Sequence, residues 1–258
     1  MKPVDIQYGF ELADGTRRSF ELRLDEENLS LMEEFPEPLP AWTALAYQQC
    51  SHCPLDPAEH PSCPLSMRLV RVVGSFDGLQ SFDRIRVRVR TAERVVSQET
   101  SVQRAVASMV GILFATSGCP HASYFAPMAR FHLPFASEAE TTYRAASMYL
   151  LAQYFLHKQG QEADLSLSGL TAIYQNLEIV NSSVARRLRA ASSTDSTVNA
   201  VILLDMFAKT LPISIEESLD RIGHLFRPFF PDGKAFPPRG SGAPGPVDPA
   251  PPLSEDEP

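Results

Sequence analysis

The chain has 258 residues, of which 44% are hydrophobic and 21% charged, and its formal net charge is −8. That length and balance suit a folded protein with a sizeable core. The acidic excess counts against nucleic acid, whose phosphates call for a basic footprint, and against anionic membrane surfaces; no stretch approaches the roughly 20 apolar residues of a membrane span.

The start, MKPVDIQYGFELADG, has no continuous apolar leader, so the expected location is the cytoplasm. In that reducing compartment clustered cysteines point to metal or thiol chemistry before disulfides. Val4, Ile6, Tyr8, Phe10 and Leu12 alternate with polar residues, Asp14-Gly15 supplies a turn, and Phe20, Leu22 and Leu24 resume the alternation. This predicts a β-hairpin over residues 1–34.

Residues 35–100 are expected to complete the sheet. The prolines of EEFPEPLP (33–40) exclude regular structure and make a connector. A loop holding most of the cysteines follows, then a short helix over Leu65–Leu79. RIRVRVR (84–90) reads as a strand with Ile85, Val87 and Val89 inward, pairing with Arg94–Glu99 across a turn near Thr91-Ala92. The four outward arginines, Arg84, Arg86, Arg88 and Arg90, are expected to pair with Asp5, Glu11 and Glu21 rather than to bind phosphate.

Residues 101–230 read as a helical bundle. Thr100 and Gln103 have capping-box spacing before an apolar helix over 101–117, and Gly118 suits a left-handed C-terminal cap. Ser137 and Glu140 repeat the capping signature ahead of a helix reaching Lys158. On it Tyr143, Ala146, Leu150 and Tyr154, extended by Met148, Leu151 and Phe155, make a stripe expected to be buried, and Glu140 and Arg144 an exposed pair. Leu170, Ile173, Leu177, Val180, Val184 and Leu188 keep the helical period. Shorter helices are expected over Val198–Leu211 and, behind Ser214 and Glu217, over Ile215–Phe226. Residues 231–258, rich in Pro, Gly and acids, are expected to form a disordered tail. The fold class is thus α+β: a small N-terminal antiparallel sheet followed by a helical bundle.

The chemistry concentrates in QCSHCPLDPAEHPSCP (49–64), which holds three of the four cysteines. The fourth, Cys119, follows the long apolar helix in SGCPH. A CxxC turn lets two thiolates converge on one ion, and Cys63 and Cys119 would complete a tetrahedron. The expected metal ligands are Cys50, Cys53, Cys63 and Cys119, with zinc slightly preferred over a [4Fe–4S] cluster. His52, His60 and His121 are close enough in sequence to replace a cysteine. Buried inert thiols and a Cys50/Cys53 thiol–disulfide centre are the competing readings.

These segments, with ATSGCPHASYFAPMARFHLPFASEAET (115–141), resemble an uncharacterised bacterial protein family that carries QCxxCPLDxxxHxxCP and TSGCPH…PMARFHLPFA blocks. The resemblance covers roughly residues 5–230 and implies that both blocks belong to one site; it brings no activity with it.

In PMARFHLP (127–134), Arg130 and His132 could stand beside the metal as a cation and a titratable imidazole. The alternative is that His132 is a hydrogen-bonded structural residue and Arg130 pairs with Glu138 or Glu140. None of the GxxxxGK[ST], HExxH or GxSxG motifs occurs, and the one GxGxxG match, GSGAPG (240–245), falls in the Pro/Gly-rich tail, away from the strand–helix setting that motif needs. Three functions remain: a non-enzymatic cytosolic metal-binding protein whose site holds an interaction or regulatory surface, an iron–sulfur redox protein or enzyme on the same cysteines, and a small-molecule-sensing helical domain with an incidental metal. The expected partner is a protein or small molecule, not nucleic acid or a membrane.

Overall fold

The computed structural model describes residues 3–32, 34–35, 37–191, 198–199, 201–202 and 219–230. Strands β1 (Val4–Leu12), β2 (Arg17–Leu24), β3 (Arg84–Arg90) and β4 (Val95–Ser101) form an antiparallel sheet in the order β2-β1-β3-β4. The alternation works as a two-faced strand should. Ile6, Tyr8, Phe10, Phe20, Leu22, Val87 and Val89 are buried on one face. On the other, Arg86 reaches Glu99 at 2.7 Å and Glu11 at 3.8 Å, while Asp5 pairs with Arg23 instead of the arginine row. These pairs are exposed, so each adds little to stability.

Helix α1 (Pro64–Phe76) and helix α2 (Val102–Ala115) cover the apolar face. Leu69, Val72 and Phe76 of α1 and Met109, Val110 and Ile112 of α2 are at most 1% exposed. The first helix stops at Phe76, short of Leu79, where Gly78 takes φ +84°. The capping box expected at Thr100 is absent. Thr100 stays in β4 opposite Ile85, and Ser101 occupies the cap without a side-chain bond. The free N–H groups of Val102 and Gln103 go to the carbonyls of Asp83 and Ser81, so the tight link to β3 replaces the cap.

A short helix α3 (Ala126–Arg130) leads to α4 (Glu138–Lys158) and α5 (Ser168–Ala191). Ser137 and Glu140 do form the capping box of α4. Of the stripe expected to be buried on α4 only Ala146 is: it is joined by Thr142, Ala145, Tyr149 and Gln153, whereas Tyr143, Leu150, Leu151, Tyr154 and Phe155 are exposed. Small side chains let α4 approach its neighbours closely. With Glu140 engaged in the cap, Arg144 donates to the Met128 and Phe131 carbonyls at 2.8 and 2.9 Å. Along α5, Leu170, Val180, Val184 and Leu188 are buried as the period predicts.

Of the last predicted helices, 198–199, 201–202 and 219–223 are helical; the remainder of 198–218 and the whole tail 231–258 lie outside the described residues. The unit Asp220–Pro258 shows, in its described part, a 3-10 helix at His224–Phe229. No helix among the described residues is long and apolar enough to cross a membrane.

Gly169 stands where α5 begins against α4. A Cβ there would run into the Tyr149 hydroxyl, which itself donates to Asp164, as does the Gly169 N–H. Gly169→Ala is expected to cost roughly 1–3 kcal/mol through overpacking. Gly74→Ala, on the exposed side of α1 with open space around it, should gain about 0.5–1 kcal/mol from helix propensity. Urea midpoints of the two variants test the contrast; a Gly169→Ala chain as stable as the wild type would refute this α4–α5 packing.

Candidate functional site

The four thiols arrive by three separate devices. Cys53 N–H donates to the Cys50 carbonyl at 3.0 Å, placing that pair on one tight turn. Cys63 is held by a short antiparallel contact, its N–H on the Thr43 carbonyl at 2.8 Å and Leu45 N–H on the Pro61 carbonyl at 2.9 Å. It directly precedes α1, where Pro64 takes a first-turn position that needs no N–H. Cys119 comes from the loop after α2, turned by Gly118 at φ +87°, a conformation that favours glycine. A Cβ on Gly118 would lie 4.0 Å from Pro64 Cβ, so Cys63-Pro64 and Gly118-Cys119 pack side by side.

All four cysteines are half-buried free thiols. They line one small cavity together with His121, Leu45, Val184 and Arg187. Its space of about 20 Å³ accommodates a single water-sized species. Burial pushes the Cys50 thiol up and that of Cys119 to about 11, and a charge on Cys63 would raise both further. Hydrogen bonds oppose this: from Ser183 to the Cys50 sulfur, and from the backbone of His121 and Ala122 to that of Cys119. Such N–H···S bonds stabilise thiolate. Among the described residues no three His, Cys, Asp or Glu side chains stand in a finished ligand set.

Sequence reasoning missed Arg187. It is 1% exposed, and its guanidinium donates to the carbonyls of Trp42, Ala44 and Leu45 at 2.9, 2.6 and 2.9 Å. No carboxylate among the described residues is in ion-pair reach of it. It therefore brings a buried positive charge to the thiol cavity. The helical period of α5 carried the signal: Arg187 stands three residues after Val184 and seven after Val180, on the apolar stripe, whereas Arg186 falls on the opposite, exposed side.

The histidines divide. His52 and His121 stack with ring centroids 3.9 Å apart. His121 Nε2 lies 3.0 Å from the His52 carbonyl, and His52 Nε2 lies 3.1 Å from the Asn176 carbonyl. A carbonyl only accepts, so both rings carry a proton on Nε2 and offer Nδ1 alone to an ion. His60 is exposed on the loop. Arg130 lies over the Phe131 ring at 5.3 Å, and the carboxylate of Glu140 is used by Ser137.

His132 is not beside the thiols. It lines a second, larger cavity of about 380 Å³, walled by α2, α3, α4 and α5. Its Nε2 is 2.6 Å from the Tyr8 hydroxyl, which is 2.9 Å from Ser108 Oγ, which accepts from Phe135 N–H at 3.3 Å. Burial holds the imidazole down to about 3, with the nearby Arg144 adding to the effect. The neutral ring then accepts from Tyr8, and Ser108 donates to the Tyr8 oxygen. This matches the hydrogen-bonded structural role.

A family model described as a domain of unknown function (DUF6901) matches residues 6–227. The chain belongs to that family. No curated protein and no solved structure matches it.

The depressed His132 has a consequence for stability. Unfolded, it binds a proton near pH 6.5; folded, only near 3. Between those values the unfolded chain holds more protons, so this group makes stability rise with pH until about 6.5 and adds nothing beyond. The slope is at most about 1.4 kcal/mol per pH unit. Urea unfolding of wild type and His132→Gln between pH 4.5 and 7 should show the steeper fall in the wild type. Equal slopes would remove the buried neutral imidazole from the account.

Proposed function

We propose that this is a metal-binding protein in which Cys50, Cys53, Cys63 and Cys119 hold one zinc ion. The observation that carries the reading is that thiols from three separate stretches line one cavity. Zinc suits four thiolates and a closed tetrahedral site. The size of the space favours a mononuclear ion over a four-iron cluster, since about 20 Å³ holds one small species. A divalent ion with four thiolates is net negative, and the buried Arg187 guanidinium offsets that charge. The N–H groups on Cys119 and the Ser183 hydroxyl on Cys50 would orient the ligands from outside.

The ion's role is structural. Binding draws the sulfurs inward and pins the proline-rich loop to the starts of α1 and α5's buried face, with folding energy on the order of 10 kcal/mol available from such sites. The loop from Asp56 to Pro61, exposed throughout, is then a rigid surface for a protein or small-molecule partner in a reducing, cytoplasmic setting. The family's two cysteine-bearing blocks belong to this one site.

Elemental analysis of anaerobically purified protein should find about one zinc per chain and a colourless solution. Cys63→Ser and Cys119→Ser should lose the metal and lower the thermal midpoint, as should a chelator on the wild type. Iron with absorbance near about 400 nm would assign the same cysteines to a cluster instead. Metal-free wild type that also fails to take up added zinc would overturn the proposal.

A further inference from the structure

The cavity of about 380 Å³ is of a size that takes small organic ligands. Its wall is largely apolar, with Phe114, Phe125, Met128 and Leu177 among the lining residues. The described residues around it include no aspartate or glutamate but two arginines, Arg104 and Arg144, in a chain whose net charge is −8. Arg104 is exposed at the rim, whereas Arg144 is half-buried. Only Nη2 of Arg144 is engaged, on the Met128 and Phe131 carbonyls, which leaves Nε and Nη1 as unused donors. Glu140, whose charge Arg144 feels, spends its carboxylate on Ser137, and the ion pairs among the described residues lie on the outer face of the sheet. A half-buried cation without a counter-ion is costly.

A second unused donor shares this wall. Tyr174 of α5 is 4% exposed and its ring packs edge-on against Phe125 at 5.1 Å. Its hydroxyl has no hydrogen-bond partner among the described residues, although a buried tyrosine usually finds one. The Asn181 amide is sealed off from any water-sized species, but the Tyr174 hydroxyl and the free nitrogens of Arg144 are open to one. The Arg144 charge acts on both Tyr174 and His132, so the cation stands near two groups that line the cavity.

We propose that this cavity binds a small apolar monocarboxylate, its carboxylate held by the free guanidinium nitrogens of Arg144 and the Tyr174 hydroxyl, its hydrocarbon body along the aromatic wall. A carboxylate only accepts, and both groups only need to donate, so its two oxygens match the unused donors. Bonds to an ionised pair are about twice as strong as neutral ones, which sets an acid above its amide. A phosphate would carry a second charge into a wall whose remaining cation, Arg104, sits at the solvent-exposed rim. His132 is engaged with Tyr8 and takes no part. Room for the body comes from Gly111, in mid-helix on α2, where a Cβ would meet nothing within 4 Å.

The test uses the full chain and three probes, decanoate, decanamide and decyl phosphate, titrated by calorimetry at neutral pH. Decanoate should bind at least roughly tenfold more tightly than either of the others. Tyr174→Phe keeps the ring against Phe125 and loses only an unpaired hydroxyl, so it should keep the thermal midpoint and weaken decanoate roughly tenfold. Arg144→Gln should abolish the preference for decanoate over decanamide. Gly111→Leu should keep the fold, since leucine is the better helix former, and weaken all three probes. The proposal is overturned by wild type that does not bind decanoate, or that binds decanamide or decyl phosphate as tightly. Undiminished decanoate binding in Tyr174→Phe or Gly111→Leu, or the preference retained in a folded Arg144→Gln chain, would overturn it equally. Should Arg144→Gln fail to fold, having lost its two carbonyl ties, Tyr174→Phe decides.

Discussion

The guanidinium of Arg187 sets the geometry on which the rest depends. A charge this deeply buried is tolerated only when its donors are satisfied, and the Trp42, Ala44 and Leu45 carbonyls satisfy them. The bond runs both ways. It fixes an irregular stretch with few backbone partners of its own, and it ties that stretch to α5, far along the chain. Thr43, held within it, receives the Cys63 N–H, and Leu45 reaches back to Pro61. The position of Cys63, the start of α1 and the mouth of the thiol cavity thus all trace to one side chain.

A second tie joins the sheet to the far side of α2. Tyr8 sits on the inner face of β1, where a hydroxyl needs a partner. It finds Ser108 on α2 and His132 beyond α3. Ser108 in turn takes the N–H of Phe135, a residue at φ +58°. One hydrogen-bonded chain therefore crosses the core and sets the loop between α3 and α4. With every member engaged, it acts as a unit that holds the cavity wall.

Local pattern accounts for the parts that local physics decides. The period of two in β1, β2 and β3, the Ser137–Glu140 cap and the period of α5 could each be read from a few adjacent residues. Thr100 could not, because strand pairing with Ile85 outweighs a cap worth about 1 kcal/mol. The burial of α4 was misread for a related reason. Its large apolar residues occupy more than one face, and the packed side is chosen by Ala145 and Ala146, whose advantage is their lack of bulk. The cysteines announced themselves by spacing. Arg187 and Asn181 lie on the apolar stripe of α5, three residues either side of Val184, so the period showed that they are buried; the carbonyls that receive Arg187 come from a distant segment that no local pattern reveals.

The two cavities are not independent features. Helix α5 presents Val180, Val184 and Arg187 to the thiols and Tyr174, Leu177 and Asn181 to the larger space. The loop after α2 does the same within a few residues, giving Cys119 and His121 to one and Ala122 and Phe125 to the other. Ala122 N–H bonds the Cys119 carbonyl at 3.0 Å, so whatever fixes the sulfur fixes a wall of the neighbouring cavity. Within that cavity the titratable groups are each held in one protonation state near neutrality. His132 is neutral, Tyr174 is pushed well above its usual range by burial, and Arg144 remains a cation tied to two carbonyls. Through the Cys119–Ala122 bond, an ion held by the thiols, as proposed, would also brace the wall of the neighbouring cavity.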